Sequence, residues 1–187
     1  MRTATFHIEG LSPYSFSKPH ETPRLEKEGH DDYDKRTYLE KAHADPKTDE
    51  AFIPGTAFKF AIADAAKRLS IKIPGKRQQT YTKNMLAGII CFEPARLGVT
   101  RDKLAHIDVY AHANAVRGPG ARVWRRFPQT VPNWKTTLQL VVIDDEIPNE
   151  IIERCVSEAG NLLGVGRFRP ATGGFLGRWT VKSVKWS

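Results

Sequence analysis

Residues 3–9 alternate apolar Ala4, Phe6 and Ile8 with polar Thr5, His7 and Glu9. A period of two places the apolar set on one face of a strand, and Gly10 closes it. The next clear pattern is helical: Ala57, Phe58, Ala61, Ile62, Ala65, Ala66 and Leu69 fall on one stripe. Lys67 and Arg68 stand in its last turn, where cations suit the helix dipole. Residues 85–92 are apolar and short and predict a strand; residues 106–113 alternate through Ile107, Val109, Ala111 and Ala113 and predict another. Residues 136–143 are rich in strand formers. Pro148 then opens a second apolar stripe through Ile151, Ile152, Cys155, Val156, Ala159, Leu162 and Leu163. The segment WTVKSVKW is a final strand.

Between these elements lie three irregular stretches. Residues 11–50 are punctuated by Pro13, Pro19, Pro23 and Pro46 and crowded with charge. They read as an excursion from the core, with a short helix over 34–43. Residues 71–84 read as a basic loop broken by Pro74 and Gly75, and residues 116–134 as a long loop of glycine, arginine and aromatics. The order strand, helix, strands, helix, strand predicts an α+β fold. Its topology is the ferredoxin-like, or RNA-recognition-motif-like, βαββαβ unit: an antiparallel sheet, two helices on one face and long loop insertions. The 187 residues are expected to form a single domain.

Charge sharpens this picture. The chain carries a net charge of +8, all of it in the middle. Residues 1–50 hold 8 basic and 11 acidic side chains, residues 51–135 hold 15 and 4, and residues 136–187 hold 6 of each. An excess concentrated in this way attracts a polyanion. No run approaches the length of a membrane helix, the first ten residues lack a secretory pattern, and two distant cysteines suit a reducing compartment. The expectation is a cytoplasmic protein with no membrane partner, no cofactor and no metal.

Three constellations offer binding chemistry. In the glycine-rich stretch 164–178, Arg167, Arg169 and Arg178 supply forked donors for phosphate, and the glycines allow backbone amides to face an anion. Phe168 and Phe175 add stacking faces. The alternative is a tight glycine turn with its arginines paired to carboxylates. In residues 117–127, Arg117, Arg122, Arg125 and Arg126 surround Trp124, a mixture suited to single strands; Trp124 and Phe127 would otherwise plug the core edge. Lys76, Arg77 and Lys83 form a basic tether around Tyr81, or simply a solvated loop.

The helix entry Ile53-Pro54-Gly55-Thr56-Ala57-Phe58-Lys59 resembles that of the RAMP superfamily, the RNA-binding proteins of CRISPR effector complexes. The glycine-rich loop between the second helix and the final strand is similar to the RAMP loop at the same place. The resemblance covers about 40 residues and implies a modified RNA-recognition fold that holds an RNA backbone. It is equally compatible with a CRISPR subunit and with a stand-alone phage or mobile-element protein.

The catalytic signal is weak. His7, His20, His30, His43, His106 and His112 form no metalloenzyme motif. The leading expectation is therefore a non-catalytic binder of single-stranded RNA or DNA, RNA preferred, using the sheet face and the basic loops. The alternatives are a metal-independent RNA endonuclease of the same fold, with His20, His30 or His43 as acid or base, and an assembly protein with an acidic protein partner. The acidic excursion is compatible with a head-to-tail homo-oligomer.

Overall fold

The computed structural model describes residues 1–112 and 122–187. Its centre is a four-stranded antiparallel sheet built from β1 (Arg2–Gly10), β3 (Ile89–Ile90), β7 (Lys135–Val142) and β8 (Trp179–Trp186), in the order β3-β7-β1-β8. Taken in chain order these four strands stack as 2-3-1-4, the ferredoxin-like arrangement. Ala4, Phe6 and Ile8 of β1 and Leu138, Leu140 and Val142 of β7 point to one face and are buried.

Helices α2 (Gly55–Leu69) and α4 (Asn149–Glu158) cover that face. Phe58, Ala61, Ile62 and Ala65 of α2 and Ile152, Cys155 and Val156 of α4 join one core with the strands. The Phe58 ring packs edge-on against Trp179 at 5.3 Å, and both are fully buried. Truncating either to alanine costs about 3–5 kcal/mol. The entry to α2 has a steric reason: a Cβ on Gly55 would stand 2.5 Å from the Cys91 carbonyl oxygen and 2.7 Å from that of Glu93. Only glycine lets the helix start so close to that chain segment. The open face of the sheet presents Thr3, Thr5, His7 and Glu9 beside Lys135, Thr137 and Gln139.

Two smaller ribbons complete the fold. Strand β2 (Glu50–Ile53) pairs with β4 (Ala95–Thr100), and β5 (Ala105–His112) pairs with β6 (Arg122–Gln129), both antiparallel. The excursion holds α1 (His30–Thr37), continued by a 3-10 turn over Tyr38–Lys41, and α1 lies against β6. Among the described residues no helix is long and apolar enough to cross a membrane.

Three expectations change. The strand expected over 85–92 is mostly α3 (Thr82–Gly88), with only Ile89–Ile90 in the sheet. Tyr81, at the start of the helix, and Met85, one turn on, are buried, a helical spacing that a short apolar run disguises. The loop expected over 116–134 contains β6, whose eight residues all pair with β5. The helix expected over 34–43 starts four residues earlier and ends at Thr37, where the chain tightens into the 3-10 turn.

Candidate nucleic-acid interface

The segment after β1 is the seam of the site. Phe16 N–H donates to the Pro128 carbonyl of β6, and Thr130 N–H donates to the Tyr14 carbonyl. On its other side Gly177 N–H donates to Pro13, and Arg167 N–H donates to Ser15. Residues 13–16 therefore lock the β5–β6 ribbon to the glycine-rich loop. The excursion contributes Tyr14, Phe16 and Ala42 to the core.

At this junction one carboxylate gathers several cations. Asp34 of α1 is fully buried; its Oδ1 lies 3.1 Å from Lys41 Nζ and 3.6 Å from Arg125 Nη1. His20 Nε2 is also 3.1 Å away. Asp34 Oδ2 accepts the Arg126 backbone N–H at 3.1 Å, which ties α1 to β6. Lys41 Nζ donates to the Arg126 carbonyl at 2.7 Å and sits 4.2 Å from the Phe127 ring centroid. Arg167 stacks on the same ring at 4.1 Å and lies 5.0 Å from that of Phe168. Its Nε is buried without a hydrogen-bond partner. Among the described residues the carboxylate whose charge reaches Arg167 is Asp34, already shared by Lys41 and Arg125.

Burial sets the electrostatics here. It holds the Lys41 ammonium below the usual lysine range despite Asp34, and the Arg167 guanidinium below the usual arginine range, with Arg125 adding to the second effect. Burial, then the Lys41 charge, also lowers His20, leaving the ring neutral at pH 7. Lys41 and Arg125 thus share the Asp34 carboxylate, while Arg167, over the same Phe127 ring as Lys41, forms no ion pair with the described residues. Incompletely compensated charge in a half-buried site is costly, and an incoming anion relieves it.

The other arginines are more committed. Arg126 makes two 2.8 Å bonds to Asp108 and also lies over Trp124 at 5.2 Å. Lys35 lies over the same Trp124 ring at 5.4 Å, so that indole already holds two cations. Arg122 is exposed on β6. Arg117 lies outside the described residues. Arg169 Nη1 donates to the Gly166 carbonyl at 3.2 Å, and Arg178 Nε to that of Asn161 at 2.9 Å.

Most amides of the glycine-rich loop are already bonded within the protein. Those of Gly164, Val165, Gly174, Leu176 and Gly177 all donate to protein carbonyls. Gly177 has φ +69°, and a Cβ there would stand 1.8 Å from the Val165 carbonyl oxygen. The loop is a tight brace, and what it offers an anion is its arginine side chains, not an amide cradle.

Lys76, Arg77 and Lys83 stand elsewhere. Arg2 of β1 pairs with Val142, whereas Glu9 pairs with Lys135. Lys76 binds Glu146 at 2.6 Å, just beyond the Val142 end. The glycine-rich loop is at the Gly10 end, about 25 Å away at strand rise. Lysines also mark the open sheet face, where Lys182 lies 3.5 Å from Glu9 beside a depression of about 430 Å³. Its outward side chains offer hydrogen bonds and charge, with the ring surfaces gathered instead at the Asp34 junction.

Several further groups have structural explanations. Burial pushes the Cys91 thiol up to about 12 and that of Cys155 to about 11, as suits core residues. His20 has both ring nitrogens engaged, Nδ1 lying 2.7 Å from Thr37 Oγ1. Burial, then Lys18, lowers His43, which faces the Phe52 ring at 5.7 Å. Sequence reasoning missed Asp34 and Lys41; with Thr37 they recur at i, i+3 and i+7, and that polar helical face was the available signal.

No protein-family model matches the chain, and no curated protein matches its sequence. Solved structures do match its fold. A chain from the cryo-EM structure of Type III-B Cmr-beta bound to cognate target RNA aligns with 99% of the present chain at TM-score 0.55 and 10% identity. The crystal structure of Cmr6 from Pyrococcus furiosus aligns with 97% of this chain and 98% of its own at TM-score 0.51 and 14% identity. The chain has a RAMP-like fold. It spans 60% of the length of the Cmr-beta chain and nearly all of Cmr6. The RAMP-like frame places the glycine-rich loop after its second covering helix, where its arginines meet the β5–β6 ribbon.

Proposed function

We propose that this protein is a non-catalytic binder of single-stranded RNA that works as a subunit of a ribonucleoprotein. The observation that carries the reading is the cation excess around Asp34: Arg125 and Arg167, half-buried, stand beside Lys41 with one carboxylate among three positive charges. A phosphate of an extended strand is the anion such a site suits, because guanidinium forks match its oxygens. The structural likeness to Cmr6 and to a chain of RNA-bound Cmr-beta supports RNA over other polyanions. The non-catalytic reading is supported by His20, whose nitrogens are tied to Asp34 and Thr37, and by His30 and His43, whose neighbours are Arg24 and the Phe52 ring. Many of the excursion's carboxylates are matched within the chain: Glu28 by Arg36, Asp45 and Glu50 by Arg96, and Asp49 by Arg101. Less acidic surface remains for a second copy.

The test is a gel-shift titration with labelled mixed-sequence RNA and DNA strands at increasing salt. RNA should bind at low salt, tighter than DNA, lose affinity steeply as salt rises, and remain uncut. Failure to bind at low salt overturns the reading; cleavage of the strand overturns its non-catalytic part.

A further inference from the structure

Between α2 and the glycine-rich loop lies a cleft of about 190 Å³. One wall is Ala57, Phe60, Ala61 and Asp64, a single helical face at i, i+3, i+4 and i+7. The other is formed by residues 163–166 with Arg169 and Ala171. Phe60 is 59% exposed, whereas Phe58 two residues earlier is fully buried. Asp64 is exposed and its carboxylate forms no ion pair or hydrogen bond with the described residues, although many carboxylates of this chain are paired.

We propose, on the RNA-binding reading above, that this cleft is a slot for one unstacked base of the bound strand, guanine in preference, with Phe60 as stacking platform and Asp64 as reader of its amino edge. The volume lies below the roughly 300–1,000 Å³ of whole-ligand pockets and suits one ring system. An exposed phenyl ring beside a narrow cleft is the surface on which a splayed-out base stacks. The carboxylate sets the chemistry. It repels phosphate, so its partner is a hydrogen-bond donor, and base edges supply donors. Guanine presents its ring N–H and its amino group side by side, which satisfies both carboxylate oxygens. Arg169, fixed by its bond to Gly166 O, supplies the cation for the flanking phosphate. Arg167 is two residues away, a chain reach of about 7 Å, so one strand passes from the Asp34 junction to the slot.

The experiment is fluorescence anisotropy on the full chain with three labelled strands: oligouridine, the same strand with one central guanine, and the same with inosine, which lacks the amino group. The guanine strand should bind about tenfold more tightly than oligouridine, with inosine between them. Phe60→Ala should reduce the guanine strand to the oligouridine level, and Asp64→Ala should erase the preference while leaving oligouridine affinity unchanged or raised. Both side chains are exposed, so unchanged melting curves will confirm an intact fold. Equal affinities for the three strands, or a preference that survives both substitutions, overturn the slot. Salt-sensitive binding that ignores base identity removes the slot and leaves RNA binding standing; no binding of any strand at low salt removes both.

Discussion

At the Val142 end of the central sheet Lys76 meets Glu146 at 2.6 Å, in a pair 40% and 57% exposed. At the Gly10 end Lys41 and Arg125 converge on the fully buried Asp34, and Arg167 joins Lys41 over the Phe127 ring. In the sequence the two regions look alike, each a run of lysines and arginines around an aromatic residue. In the fold, one lysine is neutralised in solvent, where such a pair contributes little. The other cations have one carboxylate among them away from water, where each unmatched charge acts strongly. A basic sequence therefore reports charge; the number of partners within reach decides how much of it a ligand can use.

The sharpest way to break this contrast is to remove the shared carboxylate. Asp34→Ala strands the buried Lys41 ammonium and also frees the Arg126 amide, so it should cost about 3–5 kcal/mol in urea unfolding. Next comes the least compensated cation. Arg167→Met keeps an apolar stem over Phe127 and removes the charge; RNA affinity should fall about tenfold, in line with one charge-assisted bond, and the salt slope should flatten by about one. Its melting temperature should hold or rise, because a desolvated cation beside Arg125 is lost.

A smaller effect sharpens the same comparison through pH. His20 and His43 are both held below the usual histidine range, mainly by burial, with Lys41 assisting at His20 and Lys18 at His43. The unfolded chain then binds more protons than the folded one as pH falls below about 6.5, so stability should drop with acidification through that region. His20→Gln should remove part of the slope in melts taken from pH 8 to pH 5, and His43→Gln a further part. The smallest effect belongs to the other end: Lys76→Ala should change stability by less than about 1 kcal/mol and RNA affinity by less than about twofold.

What the sequence made legible follows the range of the forces involved. Strands β1 and β8 and helices α2 and α4 were readable because their apolar periods are local and each buries one face. Strand β6 was hidden because arginines occupy three of its eight positions. Two of them are received by carboxylates distant in sequence, Arg126 by Asp108 and Arg125 by Asp34, and Arg122 stands in solvent. The same distance concealed the site. Asp34 and Arg167 stand 133 positions apart, and no spacing rule joins them. The glycine-rich loop was visible as a feature, but the direction of its amides depends on carbonyls at Pro13 and Ser15 that only the tertiary fold brings near.

Residues 13–16 hold the ribbon by one set of backbone bonds and the glycine-rich loop by another. In terms of fluctuation, this makes the two parts a single opening unit: exposing the Arg167 amide to solvent exchange requires loosening the seam that also holds Pro128 and Thr130. A strand anchored on the ribbon alone would therefore slow exchange in the loop it never touches. The protein would grip its ligand by stiffening a joint, with part of the affinity set by how far that joint is already closed before the ligand arrives.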